Sequence, residues 1–148
     1  MEESLGSKFL AKTETIETSP LKENSLVCLY FAGKWCPLCA PFTSILIDFY
    51  NEINIEEKLL EIIFVSRDKN KEEFEEVYKE MPWLAFPFGD SRIKKLTEAH
   101  DVKGIPILIV LKKNGEAITI NGKRDIMTEG YDVFQKWLQL SGKKNENQ

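Results

Sequence analysis

Two cysteines three positions apart, Cys36 and Cys39, stand in the stretch GKWCPLCAPF at residues 33–42, with Trp35 in front of them and Pro37 between them. Such a pair can be half of a zinc site, a structural cross-link, or a dithiol that makes and breaks its bond. A structural zinc site needs four ligands, and beyond the pair the chain offers only Cys28 and His100. A chain of 148 residues can build a core that is stable without cross-links, and an odd count of three cysteines does not look like a secreted disulfide framework. In a reducing compartment a close pair is more often catalytic or metal-binding than permanent.

What the pair can do depends on the elements that hold it. SLVCLYFAG is a compact apolar run rich in strand formers and stopped by Gly33, so a buried central strand is predicted over Leu26 to Ala32. From Pro37 the period becomes helical, with Phe42, Ile45, Leu46, Phe49, Tyr50 and Ile53 on one face. Cys36 is then predicted as the N-cap, with Pro37 at the first helical position, where its missing N–H costs nothing. The N–H groups of Leu38 and Cys39 become unpaired donors near the Cys36 sulfur, and the helix dipole points the same way; both favour a thiolate. Lys34 adds positive charge if its side chain turns toward that sulfur. Cys39 lies one turn on, on the same face and deeper, hence shielded and less ionised. An exposed activated thiol beside a shielded one is the arrangement that disulfide exchange requires.

The remaining segments complete the frame. KFLAK and ETIET are candidate short edge strands. LLEIIFVSRD at 59–68 is another apolar strand, and KNKEEFEEVYKE carries a narrow stripe of Phe74, Val77 and Tyr78 on a charged helix. Strand, helix, strand implies a right-handed crossover between parallel strands. MPWLAFPFGD reads as a loop, in which Trp83 either anchors the loop or meets substrate, and SRIKKLTEAHD as a short helix ended by Gly104. IPILIVLKKNGEAITI reads as a hairpin turning at Asn114-Gly115, and YDVFQKWLQL as a last helix with Phe134, Trp137 and Leu138 inward. The order predicts an α/β fold of one domain over 1–148, a central mixed β-sheet with helices on both faces. Residues 1–10 and 141–148 are expected to be poorly ordered.

Pro106 opens the apolar strand of KGIPILIV, a position where proline is tolerated. Beside a redox pair, a cis Ile105-Pro106 bond is expected, leaving the Ile105 backbone free to pair with an extended peptide. Cys28 shares a face with Leu26, Tyr30 and Ala32, where a small core side chain is expected, and His100 sits at a helix end. The balance of 20 Lys+Arg against 24 Asp+Glu, a formal charge of −4, argues against nucleic acid and anionic membranes as partners. MEESLGSKFLAKTETIETSP has no apolar run long enough for a signal or a span, so a cytoplasmic or nuclear location is expected.

Together LYFAGKWCPLC, FVSRD, MPWLAFPF, VKGIPILIVLKKNGEAIT and GKRDI resemble, in order and spacing over about residues 25–138, the thioredoxin superfamily and more narrowly its tryparedoxin and nucleoredoxin branch. The resemblance implies a thioredoxin fold, a nucleophile at Cys36, a resolving thiol at Cys39, and a substrate-binding set of Trp35, Pro37, Ile105 and a cis Pro106. The branch usually carries a second proline where Leu38 stands and a basic residue where Ala40 stands. Pro41, one turn into the helix, removes a bond to the Pro37 carbonyl and is expected to kink the helix. Thioredoxins bury an aspartate six residues before the first cysteine; that position is Tyr30, a poor base at neutral pH, so water or a distant carboxylate is expected to take the Cys39 proton.

The function expected is reduction of protein disulfides, peroxiredoxin-type proteins among them, by a monomer without metal or cofactor. An upstream thiol reductase or a low-molecular-weight dithiol would recharge it. The alternative is a redox-sensing module that binds a signalling partner.

Overall fold

The computed structural model describes residues 5–18, 26–112 and 114–142. Its strands are β1 (Lys8–Ala11), β2 (Glu14–Glu17), β3 (Leu26–Ala32), β4 (Leu60–Ser66), β5 (Leu84–Ala85), β6 (Ile107–Leu111) and β7 (Ala117–Thr119). Its helices are α1 (Cys39–Ile53), α2 (Lys71–Tyr78), α3 (Ser91–Ala99), α4 (Gly122–Glu129) and α5 (Val133–Leu140), the last preceded by a 3-10 turn over Gly130–Asp132. The strands form one seven-stranded sheet in the order β2-β1-β5-β4-β3-β6-β7. The pairs β3·β4 and β4·β5 are parallel, and the other neighbours are antiparallel.

Every residue of β3 and β4 is buried, as expected of central strands covered on both faces. Alternation then sorts the side chains. Leu26, Cys28, Tyr30 and Ala32 join Phe42, Leu46, Phe74, Ile126 and Trp137 in the core under α1, α2, α4 and α5. Val27, Leu29 and Phe31 join Phe9, Phe86 and Leu96 under α3. The mixed sheet with helices on both faces thus stands as expected.

Several local expectations are corrected. Segments read as edge strands form β1 and β2, but β1 lies between β2 and β5, and its first three residues belong to the stretch 1–10 expected to be loose, of which residues 1–4 lie outside the described residues. Residues 143–148 of the expected loose tail lie outside the described residues. The loop MPWLAFPF contributes β5, and Trp83 anchors it edge-on against Tyr50 and Tyr30, at 5.4 and 6.1 Å between ring centroids. Helix α3 ends before Gly104: Asp101 takes the left-handed conformation (φ 52°), and Val102 N–H donates to the Thr97 carbonyl at 2.9 Å, closing the helix without a glycine. His100 caps that helix end, its imidazole pKa lowered by burial. No element is expected from sequence where helix α4 stands, since Ile126 is its one buried large side chain and it carries no apolar stripe. Gly122 is required there, since a Cβ would meet the Leu108 carbonyl oxygen at 2.8 Å.

The helix start also differs. Regular α1 begins at Cys39 with Leu38, not Cys36, as N-cap. Pro41 has no N–H to reach the Pro37 carbonyl, so the unbroken ladder of helical bonds begins one residue later. Pro41 therefore lies within the first turn, where an N–H would be unpaired in any case, and not at a kink in the helix interior. Ile45, expected on the inward face, is 37% exposed; Thr43 takes the inward place beside Phe42 and Leu46.

Arg92 at the start of α3 ties the N-terminal strand to the body. Its guanidinium donates to the carbonyls of Leu5 (2.6 Å) and Lys8 (2.8 Å), forks onto Asp90 (both contacts 2.9 Å), and stacks over Phe86 and Phe9. Arg92→Lys keeps the charge but not the fork, so urea unfolding should show a loss of about 1.5–3 kcal/mol; an unchanged midpoint would contradict this role. The same contacts hold the Asp90 carboxyl below its usual pKa. A depressed carboxylate contributes stability that is present above its unfolded value near pH 4 and is lost as pH falls through the lower folded value. Asp90→Asn should therefore be less stable at neutral pH, with the gap narrowing below about pH 4; a gap independent of pH would show that the charge is not responsible.

Candidate active site

The parallel register Leu26↔Leu60 through Ala32↔Ser66 brings the ends of β3 and β4 level. The loop after β3 therefore lies against Arg67 and Asp68, which follow β4. Lys34 N–H donates to Asp68 Oδ1 at 2.6 Å, while Ser66 Oγ holds Asp68 Oδ2 at 2.6 Å and accepts the Asp68 N–H at 3.0 Å. Trp35 Nε1 donates to the Arg67 carbonyl at 2.8 Å. Gly33 leaves room for that approach, since a Cβ there would sit 3.0 Å from Trp35 Nε1. Asp68 was not singled out from sequence; the available signal was Ser-x-Asp closing the strand parallel to the one that leads into the cysteines.

A tight turn then carries the cysteines. Cys36 N–H donates to the Gly33 carbonyl (3.3 Å) and Cys39 N–H to the Cys36 carbonyl (3.2 Å). The Cys39 N–H, expected to be a free donor near the sulfur, is thus engaged. Both cysteines are free thiols. Cys36 is only 7% exposed, nearly as buried as Cys39 at 4%, so the expected contrast of an exposed and a shielded thiol is small. The Cys36 thiol is turned inward, donating to the Ile105 carbonyl at 3.6 Å. The Ile105-Pro106 peptide is cis. The Ile105 carbonyl, expected to be free, is occupied by this thiol while the pair is reduced.

The predicted residues therefore converge. Trp35 (50% exposed) and Pro37 stand at the surface around Cys36, with the half-buried Ile105 and Pro106 across from them. Leu38, 63% exposed, adds apolar surface beside them. Burial, then a hydrogen bond to Cys36, push the Cys39 thiol up to about 12, with a backbone hydrogen bond from Gly33 acting in the opposite direction. Lys34 does not serve as a free cation beside the sulfurs; its ammonium is held by Glu76 of α2. Cys28 lies fully buried in the core, its thiol pKa raised by burial alone. No cluster of His, Cys, Asp or Glu suited to a metal ion occurs among the described residues, and no helix among them is long and apolar enough to cross a membrane.

Beneath the cysteines, the Tyr30 hydroxyl is bonded to Thr43 Oγ1 at 2.7 Å and lies 3.4 Å from the Cys39 carbonyl. Burial raises its pKa further, so it holds its proton rather than taking one. Tyr30→Phe should cost about 1 kcal/mol of stability by leaving Thr43 without its partner, while the release of a mixed disulfide keeps its rate. Slowing of that release comparable to Cys39→Ser, in rapid-mixing experiments, would make Tyr30 a participant in the chemistry.

Comparison with known proteins agrees with the fold. A family profile described as Thioredoxin-like matches residues 24–117. Nucleoredoxin from Mus musculus is 40% identical over 117 residues, 78% of this chain and 27% of its own length. A probable nucleoredoxin from Arabidopsis thaliana is 38% identical over 108 residues, 73% of this chain and 19% of its own. The chain thus spans less than a third of the length of these curated relatives. Among solved structures, tryparedoxin II from C. fasciculata superposes with a TM-score of 0.83 at 31% identity, covering 97% of this chain and 96% of that one.

Proposed function

The chain belongs to the thioredoxin superfamily, in its nucleoredoxin and tryparedoxin branch, and on that premise we propose that it reduces protein disulfides through Cys36 and Cys39. The observation that carries this reading is the Cys36 thiol resting on the Ile105 carbonyl beside Pro106, with Cys39 one turn behind it. When Cys36 loses its proton, that carbonyl is released and can accept an N–H from an extended substrate segment, which aligns the substrate disulfide with the sulfur. Trp35, Pro37 and Leu38 supply the apolar surface on which the segment lies.

The Cys36 thiolate attacks one sulfur of the substrate disulfide, forming a mixed disulfide and releasing the first substrate thiolate. Cys39 keeps its proton through this step, because Cys36 itself is among the causes that raise its pKa. Once Cys36 is in the mixed disulfide those contributions vanish; burial and the Asp68 charge still hold the Cys39 pKa up, and the Gly33 backbone hydrogen bond still lowers it. Cys39 then loses its proton and attacks the Cys36 sulfur, closing the Cys36–Cys39 disulfide and expelling the second substrate thiolate. Solvent carries the Cys39 proton to the leaving thiolate, since Tyr30 is unfit as a base. Two electrons pass from the dithiol to the substrate, and an upstream reductase or a low-molecular-weight dithiol returns them. Peroxiredoxin-type proteins are suitable substrates, the protein acts as a monomer, and the reducing chemistry fits the cytoplasm or nucleus.

Insulin reduction driven by dithiothreitol tests the reading. The folded protein should accelerate it well above the uncatalysed rate, Cys36→Ser should abolish the acceleration, and Cys39→Ser should accumulate a mixed disulfide on Cys36 visible by mass spectrometry. A folded sample that gives no acceleration rules the enzyme out.

A further inference from the structure

A groove of about 360 Å³ runs between α1 and α2 and ends at the two thiols. It is separate from the Ile105–Pro106 side on which the substrate backbone is seated. One wall is lined by Ala40, Thr43, Ser44 and Ile47 of α1, with the small Ala40 and Ser44 one turn apart; the other carries two carboxylates, Glu76 on α2 and Glu80 in the turn that follows it. Lys34 lines the same groove at the end nearest Cys36 and is paired with Glu76. Glu80 has no cation paired with it among the described residues.

We propose that this groove is a specificity subsite for a basic side chain placed next to the reacting cysteine of the substrate. The inference rests on the disulfide-exchange reading above and names which disulfides it favours. A disulfide bonded to Cys36 necessarily brings its neighbouring residues to the groove mouth, because Cys36 and Cys39 line the groove itself. A lysine or arginine fits the space: Ala40 and Ser44 leave room for a long aliphatic stem, and half-buried Val77 offers apolar surface for it. The charged end then reaches Glu80. The loop's own cation does not compensate the acidic wall. Lys34 donates its ammonium hydrogen bond to Glu76, with Glu73 and Asp68 adding negative field around it, so the mouth of the groove attracts positive charge. An acidic side chain at the same place would face Glu80 and Glu76 and be disfavoured.

The test uses symmetrical disulfides of short peptides identical except for the residue beside the cysteine, which is Lys, Gln or Glu, with that residue placed before the cysteine in one set and after it in the other. Each disulfide is mixed with fully reduced protein at low ionic strength, and the peptide thiol formed is followed by rapid-quench chromatography. The Lys peptide should react about two- to fivefold faster than the Gln peptide in at least one set, and the Glu peptide slower still, the range expected of a solvent-accessible ion pair. The Lys-to-Gln ratio should fall toward one in Glu80→Gln, in Ala40→Lys, which fills the groove with a cation, and at high salt. It should persist in Glu57→Gln, a charge change past the far end of α1 and outside the groove lining. Equal rates for the three peptides in both sets would overturn the subsite and leave the reductase reading standing. So would a ratio that survives Glu80→Gln, or one that falls equally in Glu57→Gln, which would mark a general effect of net charge. If the Gln peptide reacts no faster with the natural protein than with Cys36→Ser, the exchange reading fails and the subsite with it.

Discussion

The in-register parallel pairing of β3 with β4 is the constraint on which the site depends. Both strands are buried along their whole length, and their paired residues run from Leu26 opposite Leu60 to Ala32 opposite Ser66. The carboxyl ends of two parallel strands thus finish side by side, the place where open α/β sheets put their chemistry. A slip of one residue would turn Tyr30 and Cys28 toward α3 and carry Asp68 away from the loop it holds. The core on either face, through its alternating side chains, keeps that register and so keeps the cysteine loop in place.

From that fixed edge the loop is assembled by hydrogen bonds more than by packing. Asp68 grips the Lys34 N–H, Arg67 accepts the Trp35 indole N–H, and the Gly33 and Cys36 carbonyls close successive turns. The cis Ile105-Pro106 segment then supplies an acceptor for the Cys36 thiol. In the proposed reaction, the division of labour between the two sulfurs does not come from a large difference in exposure, since both are buried. It comes from what each sulfur faces: a peptide carbonyl that a substrate can take over for Cys36, and Cys36 itself with the protein interior for Cys39.

Much of this was legible in the residues. The β3 strand has its expected bounds, and among the expected site residues the Cys36 thiol meets the Ile105 carbonyl beside the cis Pro106. The misses have common causes. Helix α4 was invisible because its single large buried contact, Ile126, makes no periodic stripe. The end of α3 fell earlier than expected because Asp101 adopts a backbone conformation usually left to glycine. The start of α1 lies later than expected because Pro41, lacking an N–H, sets the position of the first helical bond and makes no kink inside the helix.

The sequence by itself determined the chemistry available: two thiols one turn apart, a proline to start a turn, and apolar runs that had to become buried strands. Those properties are local, set by residue type and by spacing along the chain. Only the tertiary structure decided that Asp68 would hold the loop, that Ile105 would receive the Cys36 thiol, that Lys34 would be taken by Glu76, and that an acid-walled groove would open beside both sulfurs. These are contacts between residues 34 to 69 positions apart, or between two helix faces. Which of the many chemically suitable partners meet is decided by strand register and helix packing, which bury the whole apolar surface at once and which no short stretch of sequence encodes.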